Sequence, residues 1–228
     1  IWEIIKNLVR SVLVSWKKPD RSIWEYRTKE HHFVFSKVMS WVAIDRASLI
    51  AELLQRDYYA IEWRKEADII KKEVHEKGWN EELQTFTQAY ENNDADSSLL
   101  LMYFYDFIDV DDERFVKTVQ HIKKELYHEG LMYRYKAEDD FGVPTSSFTI
   151  CTFWLIDALF MIGEKEEAKE IFENMISYSN HLGLYSEDLD FKSKRQLGNF
   201  PQAYSHLAFI NTAALFSEEK TLSQFIRP

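Results

Sequence analysis

The chain has 228 residues and a formal net charge of −10, with 46% hydrophobic and 29% charged residues; that is enough for one substantial core, expected as a single domain over residues 1–228. The acidic balance argues against a nucleic-acid backbone or an anionic membrane as the main partner, since both are captured by clustered Lys and Arg. Six Gly and four Pro are too few for the turns of an all-β protein of this length, while 15% aromatic residues exceed what a core alone needs.

From the first residue, Ile1, Ile4, Ile5, Leu8, Val9, Val12 and Leu13 recur at helical spacing with no cap before them, so the sequence reads as part of a longer chain. That helix stops near Trp16, at Lys17, Lys18, Pro19 and Asp20. Residues 20–32 follow as a loop that mixes charge with aromatics and shows no sustained period. A long helix is expected over residues 35–54, where Val38, Met39, Trp41, Val42, Asp45, Leu49 and Leu53 keep helical spacing. A second runs over 59–74 and is closed by Gly78. Residues 84–88 read as extended.

Helix is expected again over 97–107, with Asp96 as its cap. Residues 111–126 form another, acidic at the start and carrying Lys123 and Lys124 near the end, as the helix dipole prefers. A short extended piece over 131–136 leads into a loop through Gly142 and Pro144. Residues 148–161 and 165–178 form a helical hairpin joined at Gly163. Residues 181–201 are irregular, and a last helix covers 202–216 before a polar tail without pattern. About eight helices in antiparallel pairs point to an all-α fold of layered hairpins.

No apolar run approaches the ~20 residues of a membrane span, and the N-terminus lacks the pattern of a signal peptide. The single cysteine, Cys151, cannot form an intrachain disulfide and sits among residues 148–154 as a buried structural thiol. A cytoplasmic protein is the expectation. His31 and His32 are adjacent, and His121 and His128 lie on and just past one helix, so no metal-ligand spacing emerges. Asn92-Asn93-Asp94-Ala95-Asp96 lacks the glycine and the closing glutamate of a calcium loop.

Two irregular loops rich in acids and aromatics, each between firm helices, have the form of a carbohydrate site. Glycoside hydrolysis needs one carboxylic acid to protonate the leaving oxygen and one carboxylate to activate water or attack directly. Glu25 and Glu187 are the candidates. Glu25 stands between Trp24 and Tyr26, and partial burial against rings suits a carboxyl that must stay protonated. Glu187 occurs in Leu184-Tyr185-Ser186-Glu187-Asp188.

Several segments carry a family resemblance. Ile23-Trp24-Glu25-Tyr26-Arg27, the helix Phe35-Ser36-Lys37-Val38-Met39-Ser40-Trp41-Val42-Ala43-Ile44-Asp45-Arg46, the blocks Asp96-Ser97-Ser98-Leu99-Leu100 and Cys151-Thr152-Phe153-Trp154-Leu155, and Leu184 to Glu187 followed by Gly198-Asn199-Phe200-Pro201-Gln202-Ala203-Tyr204-Ser205-His206-Leu207-Ala208 resemble glycoside hydrolase family 15, the glucoamylases and related trehalases, in family order.

The resemblance implies helical hairpins of an (α/α)6 toroid, with Glu25 as general acid and Glu187 as general base of an inverting enzyme that releases β-glucose from α-glucosides. Maltooligosaccharides are the first substrate reading, trehalose the alternative, and a non-catalytic carbohydrate-binding scaffold the rival from another class. The partner is a saccharide with a terminal α-linked glucose, and no metal or organic cofactor is required. Inversion sets the two carboxyl groups roughly 6.5–9.5 Å apart. Trp24 lines the sugar pocket in this reading, and Arg27 and Lys37 donate to sugar hydroxyls. Tyr204 and His206 lie two apart on one helix, so at most one of them points into the site. Relatives are longer, and the chain holds about eight of a closed toroid's twelve helices, leaving faces for self-association or a companion segment to cover.

Overall fold

The computed structural model describes residues 1–27 and 29–217. Thr28, within the first irregular loop, and residues 218–228, most of the polar tail, lie outside the described residues. Seven α-helices, one short 3-10 helix and seven two-residue strands make up the regular structure described. The chain divides into two compact units, one of residues 1–94 and 104–107, the other of residues 95–103 and 108 onward.

In the first unit, α1 (Trp2–Ser15), α2 (Val34–Leu53) and α3 (Asp57–Lys77) carry the core. Val34, Val38, Trp41, Ile44, Ala47 and Ala51 bury α2 on most of its circumference. α3 buries one stripe, Ala60, Trp63, Ala67, Ile70 and Val74, at alternating spacings of three and four. The two helices fold back on each other through residues 54–56, where Gln55 takes φ +55°. α1 is held at one end by Trp2, whose ring lies 5.2 Å from Tyr59 and 5.4 Å from Trp63. α3 is capped by Gly78, where only glycine fits, since a Cβ there would meet Val74 O at 2.7 Å and Val34 Cγ2 at 3.0 Å. The expected extended piece appears as β2 (Thr85–Phe86), paired antiparallel with β1 (Trp79–Asn80).

The second unit is built around α5 (Thr149–Met161), which packs against α4 (Glu113–Leu126), α6 (Lys165–Ser177) and α7 (Ala203–Phe216). Cys151, Phe153, Leu155, Ile156 and Leu159 are fully buried along it. The Cys151 sulfur accepts from Ser97 Oγ at 3.0 Å, and burial pushes its thiol pKa up, in keeping with a structural thiol. α7 buries the small stripe Ser205, Ala208 and Thr212 and leaves Tyr204, Leu207 and Ile210 exposed. β3 (Tyr127–His128) and β4 (Leu131–Met132) form a hairpin; β5 (Ser147–Phe148), β6 (Asp188–Leu189) and β7 (Gln196–Leu197) form an antiparallel ribbon with β6 central.

The helix expected over 97–107 is instead a 3-10 helix, Ser97–Leu101, followed by turns. Asp96 does cap it, accepting from Ser98 N at 2.8 Å. Ser97 N–H, which a helix's own carbonyls leave unpaired, donates to Arg134 O at 3.0 Å, and Leu99, Leu100 and Met102 are all buried.

Candidate active site

The loop carrying Glu25 is closed at its neck, where Asp20 N–H donates to His31 O at 2.9 Å and His31 N–H to Asp20 O at 3.1 Å. Within it, Tyr26 N–H donates to Arg21 O at 2.9 Å and Glu25 N–H to Ser22 O at 3.2 Å. Ser22 (φ +65°) and Glu25 (φ +55°) both take left-handed backbone, a conformation that costs on the order of 1 kcal/mol or more for residues with a Cβ. Tyr26 anchors the loop: its ring stacks on Phe33 at 5.3 Å and 5°, and its hydroxyl accepts from Gln88 Nε2 at 3.3 Å. With Tyr26 turned into the core, Glu25 is exposed and Trp24 half-buried. This corrects the expectation that rings on both sides bury Glu25, because the tight turn that buries residue 26 sends residue 25 outward.

Lys37 is not on the surface with Glu25. It is 2% exposed, and its Nζ donates to Lys18 O at 2.6 Å and to Asp20 Oδ2 at 3.3 Å. Arg27, by contrast, is exposed on the returning limb of the loop.

Glu187 belongs to the second unit and is pinned by its backbone on both sides, its N–H donating to Asn199 O at 2.9 Å and its carbonyl accepting from Thr149 N at 2.9 Å. The carboxylate is held too. Its Oε2 accepts from Asn199 N at 3.1 Å and Asn199 Nδ2 at 3.0 Å, and Oε1 makes no hydrogen bond among the described residues. Gly198 makes this seat possible: with φ +73°, it lies where a Cβ would come within 2.8 Å of Glu187 Oε2.

His206 supports the same segment from α7. Its Nε2 accepts from Tyr185 N at 3.3 Å and its Nδ1 donates to Gln202 O at 2.7 Å, so both ring nitrogens are engaged within the fold. Tyr185 is buried, and its hydroxyl donates to Met175 O at 2.8 Å. Tyr204, two residues before His206, is 63% exposed. Of this pair, Tyr204 is the side chain open to a ligand and His206 the one that holds the loop.

Asp188, the next residue after Glu187, lines a hollow of about 220 Å³ together with Arg134, Asp139, Pro144, Ser146 and Phe148 among others; Glu187 does not line it. Asp139 Oδ2 accepts from Tyr135 Oη at 2.7 Å and Arg134 Nη2 at 3.1 Å, while its Oδ1 accepts from Phe141 N at 2.7 Å. Burial opposes ionisation of Asp139, but the Tyr135 hydroxyl, the Phe141 N–H and the Arg134 guanidinium outweigh it and hold the carboxyl below its ordinary range. Asp188 goes the other way. Burial raises its pKa, only partly offset by the hydrogen bond from Ser146 Oγ at 2.5 Å and the charge of Arg134. Sequence reasoning read residues 131–144 as a short strand and loop and missed these groups. The available signal was the cluster Tyr133-Arg134-Tyr135 with Asp139-Asp140, a polar and aromatic run like that around Glu25.

Among known proteins, the chain matches the model of glycosyl hydrolases family 15 over residues 1–214. The chain belongs to that family. It is 43% identical over 214 residues to a trehalase of Mycolicibacterium smegmatis, covering 92% of this chain and 32% of that protein. To a trehalase of Thermoplasma volcanium it is 40% identical over 219 residues, covering 96% and 35%. The chain therefore spans about a third of the length of these curated relatives. Among solved structures, a bacterial glucoamylase complexed with acarbose matches with a TM-score of 0.78 over 92% of this chain and 37% of its own, at 15% identity. A family 15 glucoamylase from Hypocrea jecorina matches with a TM-score of 0.73 over 94% of this chain and 46% of its own. The all-α class expected from the sequence, helical hairpins of an (α/α)6 toroid present only in part, is the fold observed. No described helix is long and apolar enough to cross a membrane.

Proposed function

We propose that the protein carrying this chain is an inverting glycoside hydrolase that acts on trehalose, with Glu25 as general acid and Glu187 as general base in one catalytic domain. The observation that carries the substrate is the 43% and 40% identity to two trehalases. The family match over residues 1–214 includes both glutamates. Maltooligosaccharides, the first reading from the sequence, give way to trehalose on this ground.

In the proposed reaction the Glu25 carboxyl gives its proton to the glycosidic oxygen as the bond from that oxygen to the anomeric carbon breaks. A water attacks the same carbon from the opposite face and loses a proton to the Glu187 carboxylate. Solvent then restores both groups. Glu25 is exposed at a loop tip held by its own turn, within reach of a bound sugar, and Glu187 has one oxygen fixed by Asn199 while the other makes no hydrogen bond among the described residues. Trp24 and Tyr204 offer ring surface to a sugar, and Arg27 an exposed guanidinium.

The test is glucose release from trehalose, maltose, maltotriose and starch by the full-length protein, with anomers followed by NMR. Inversion at one carbon of α,α-trehalose yields one β-glucose and one α-glucose per turnover. Glu25→Gln and Glu187→Gln are expected to abolish release. Release that survives both substitutions rejects the assignment, and a protein that binds sugar without cleaving any of the four supports the scaffold reading.

A further inference from the structure

Asp20 lies where four parts of the first unit converge. Its backbone closes the neck of the Glu25 loop with His31; its Oδ1 accepts from Ser22 N at 2.9 Å inside the loop and from Ser36 Oγ at 2.5 Å on α2. Its Oδ2 accepts from Lys37 Nζ, also on α2. Lys37 in turn ties in Lys18 O, the stretch that leads to the neck from α1.

An ammonium at 2% exposure is an expensive group to place in a core. Burial lowers the proton affinity of Lys37, and Asp20 acts against that loss. A leucine or methionine would fill the same space without the desolvation cost, so packing alone does not account for a lysine here. What a lysine adds is directional hydrogen bonding, with three donors on a charge that needs Asp20 in one position. Buried ion pairs are best attested as devices that fix one arrangement among several.

The arrangement fixed here leads to the acid. Asp20 holds the N–H of Ser22; Ser22 O accepts from Glu25 N; and both Ser22 and Glu25 sit in left-handed backbone that the chain would leave if unrestrained. We propose that Lys37 is a positioning residue for Glu25: through Asp20 it locks the Ser22–Glu25 turn and so sets the direction of the exposed carboxyl, and it does not contact sugar. This rests on Glu25 being the general acid.

The experiment uses the full-length protein with trehalose as substrate and compares wild type with Lys37→Met and Asp20→Asn, singly and together. Misplacing a reacting group by about 1 Å can lower turnover on the order of a hundredfold. Each single variant is expected to lower kcat roughly ten- to a hundredfold with KM within about threefold, and the double variant to lower it no further, since both break one device. Hydrogen exchange of residues 20–32 is expected to quicken in each variant while α5 and α6 keep their protection.

A raised KM with kcat intact would overturn the inference by making Lys37 a sugar ligand. Unchanged kcat with faster exchange would overturn it by making the pair merely structural. If Lys37→Met fails to fold, Asp20→Asn decides alone: Asn keeps an acceptor for Ser22 and Ser36 but loses the Lys37 pair that fixes where that acceptor sits. Wild type that cleaves no glucoside refutes the proposed function, whereas unchanged exchange in 20–32 refutes the lock itself.

Discussion

Replacing Gly198 by alanine adds one methyl group at the seat of Glu187. That methyl would lie 2.8 Å from Glu187 Oε2 and 3.2 Å from its Cβ, where ordinary contact begins at 3.4 Å. The carboxylate or the backbone must therefore give way by about half an ångström or more, which breaks or stretches the bonds from Asn199 to Oε2. Gly183 supplies the control. It lies in the same irregular segment with φ +74°, nearly that of Gly198 at +73°, and a Cβ there meets nothing within 4 Å. Both substitutions carry the left-handed penalty of roughly 1–2 kcal/mol. Only Gly198→Ala disturbs the base.

Thermal unfolding of both variants should fall, by a few degrees for a protein of this size class, and by more in Gly198→Ala, which adds the contact with Glu187 to the shared backbone penalty. Initial rates of glucose release from trehalose should separate them. Gly183→Ala is expected to keep kcat within about twofold, whereas Gly198→Ala should lose on the order of ten- to a hundredfold, the scale of a misplaced reacting group. Equal kcat in the two variants would refute the reasoning that Gly198 is there to seat Glu187.

Two further expectations concern the second unit. Burial raises the Asp157 carboxyl from its ordinary 3.8 to about 7, although Thr212 Oγ1 donates to it at 2.6 Å and favours the ionised form. The folded state then binds more protons than the unfolded one between about pH 4 and 7, so this group's contribution to stability is present below about pH 4 and is lost as pH rises through 7. Asp157→Asn should gain on wild type across that window by up to about 1.4 kcal/mol per pH unit and then level off, as urea unfolding at several pH values will show; a difference that does not depend on pH contradicts it. Cys151, fully buried with its thiol pKa raised by burial, should resist a thiol reagent until the second unit opens. Modification at the same rate as in denaturant would contradict the burial.

The sequence was most informative where the physics is local. The alternating three- and four-residue spacing of Ala60, Trp63, Ala67, Ile70 and Val74 specifies a helix with one buried stripe, and that is α3. Gly163 marks the turn between α5 and α6 because its φ of +96° is open mainly to glycine. The two irregular loops stood out through their mixture of acids and aromatics, and the family was legible from short motifs in order along the chain.

Tertiary contacts decided the rest. Residues 97–107 have a helical apolar pattern, yet the regular helix there is a 3-10 turn over Ser97–Leu101 followed by turns. Whether Tyr26 or Glu25 faced the core depended on the Phe33 ring just after the loop and on Gln88, far along the chain from the turn it holds. The same holds for Lys37, which reads as a surface cation until α2 carries it beneath Asp20. Ser146, Phe148 and Asp188 meet at one hollow because β5 pairs with β6. Period and propensity are carried by neighbours in sequence and so are visible in it; the direction of a charged side chain is set by groups many residues away, and only the folded chain brings them together.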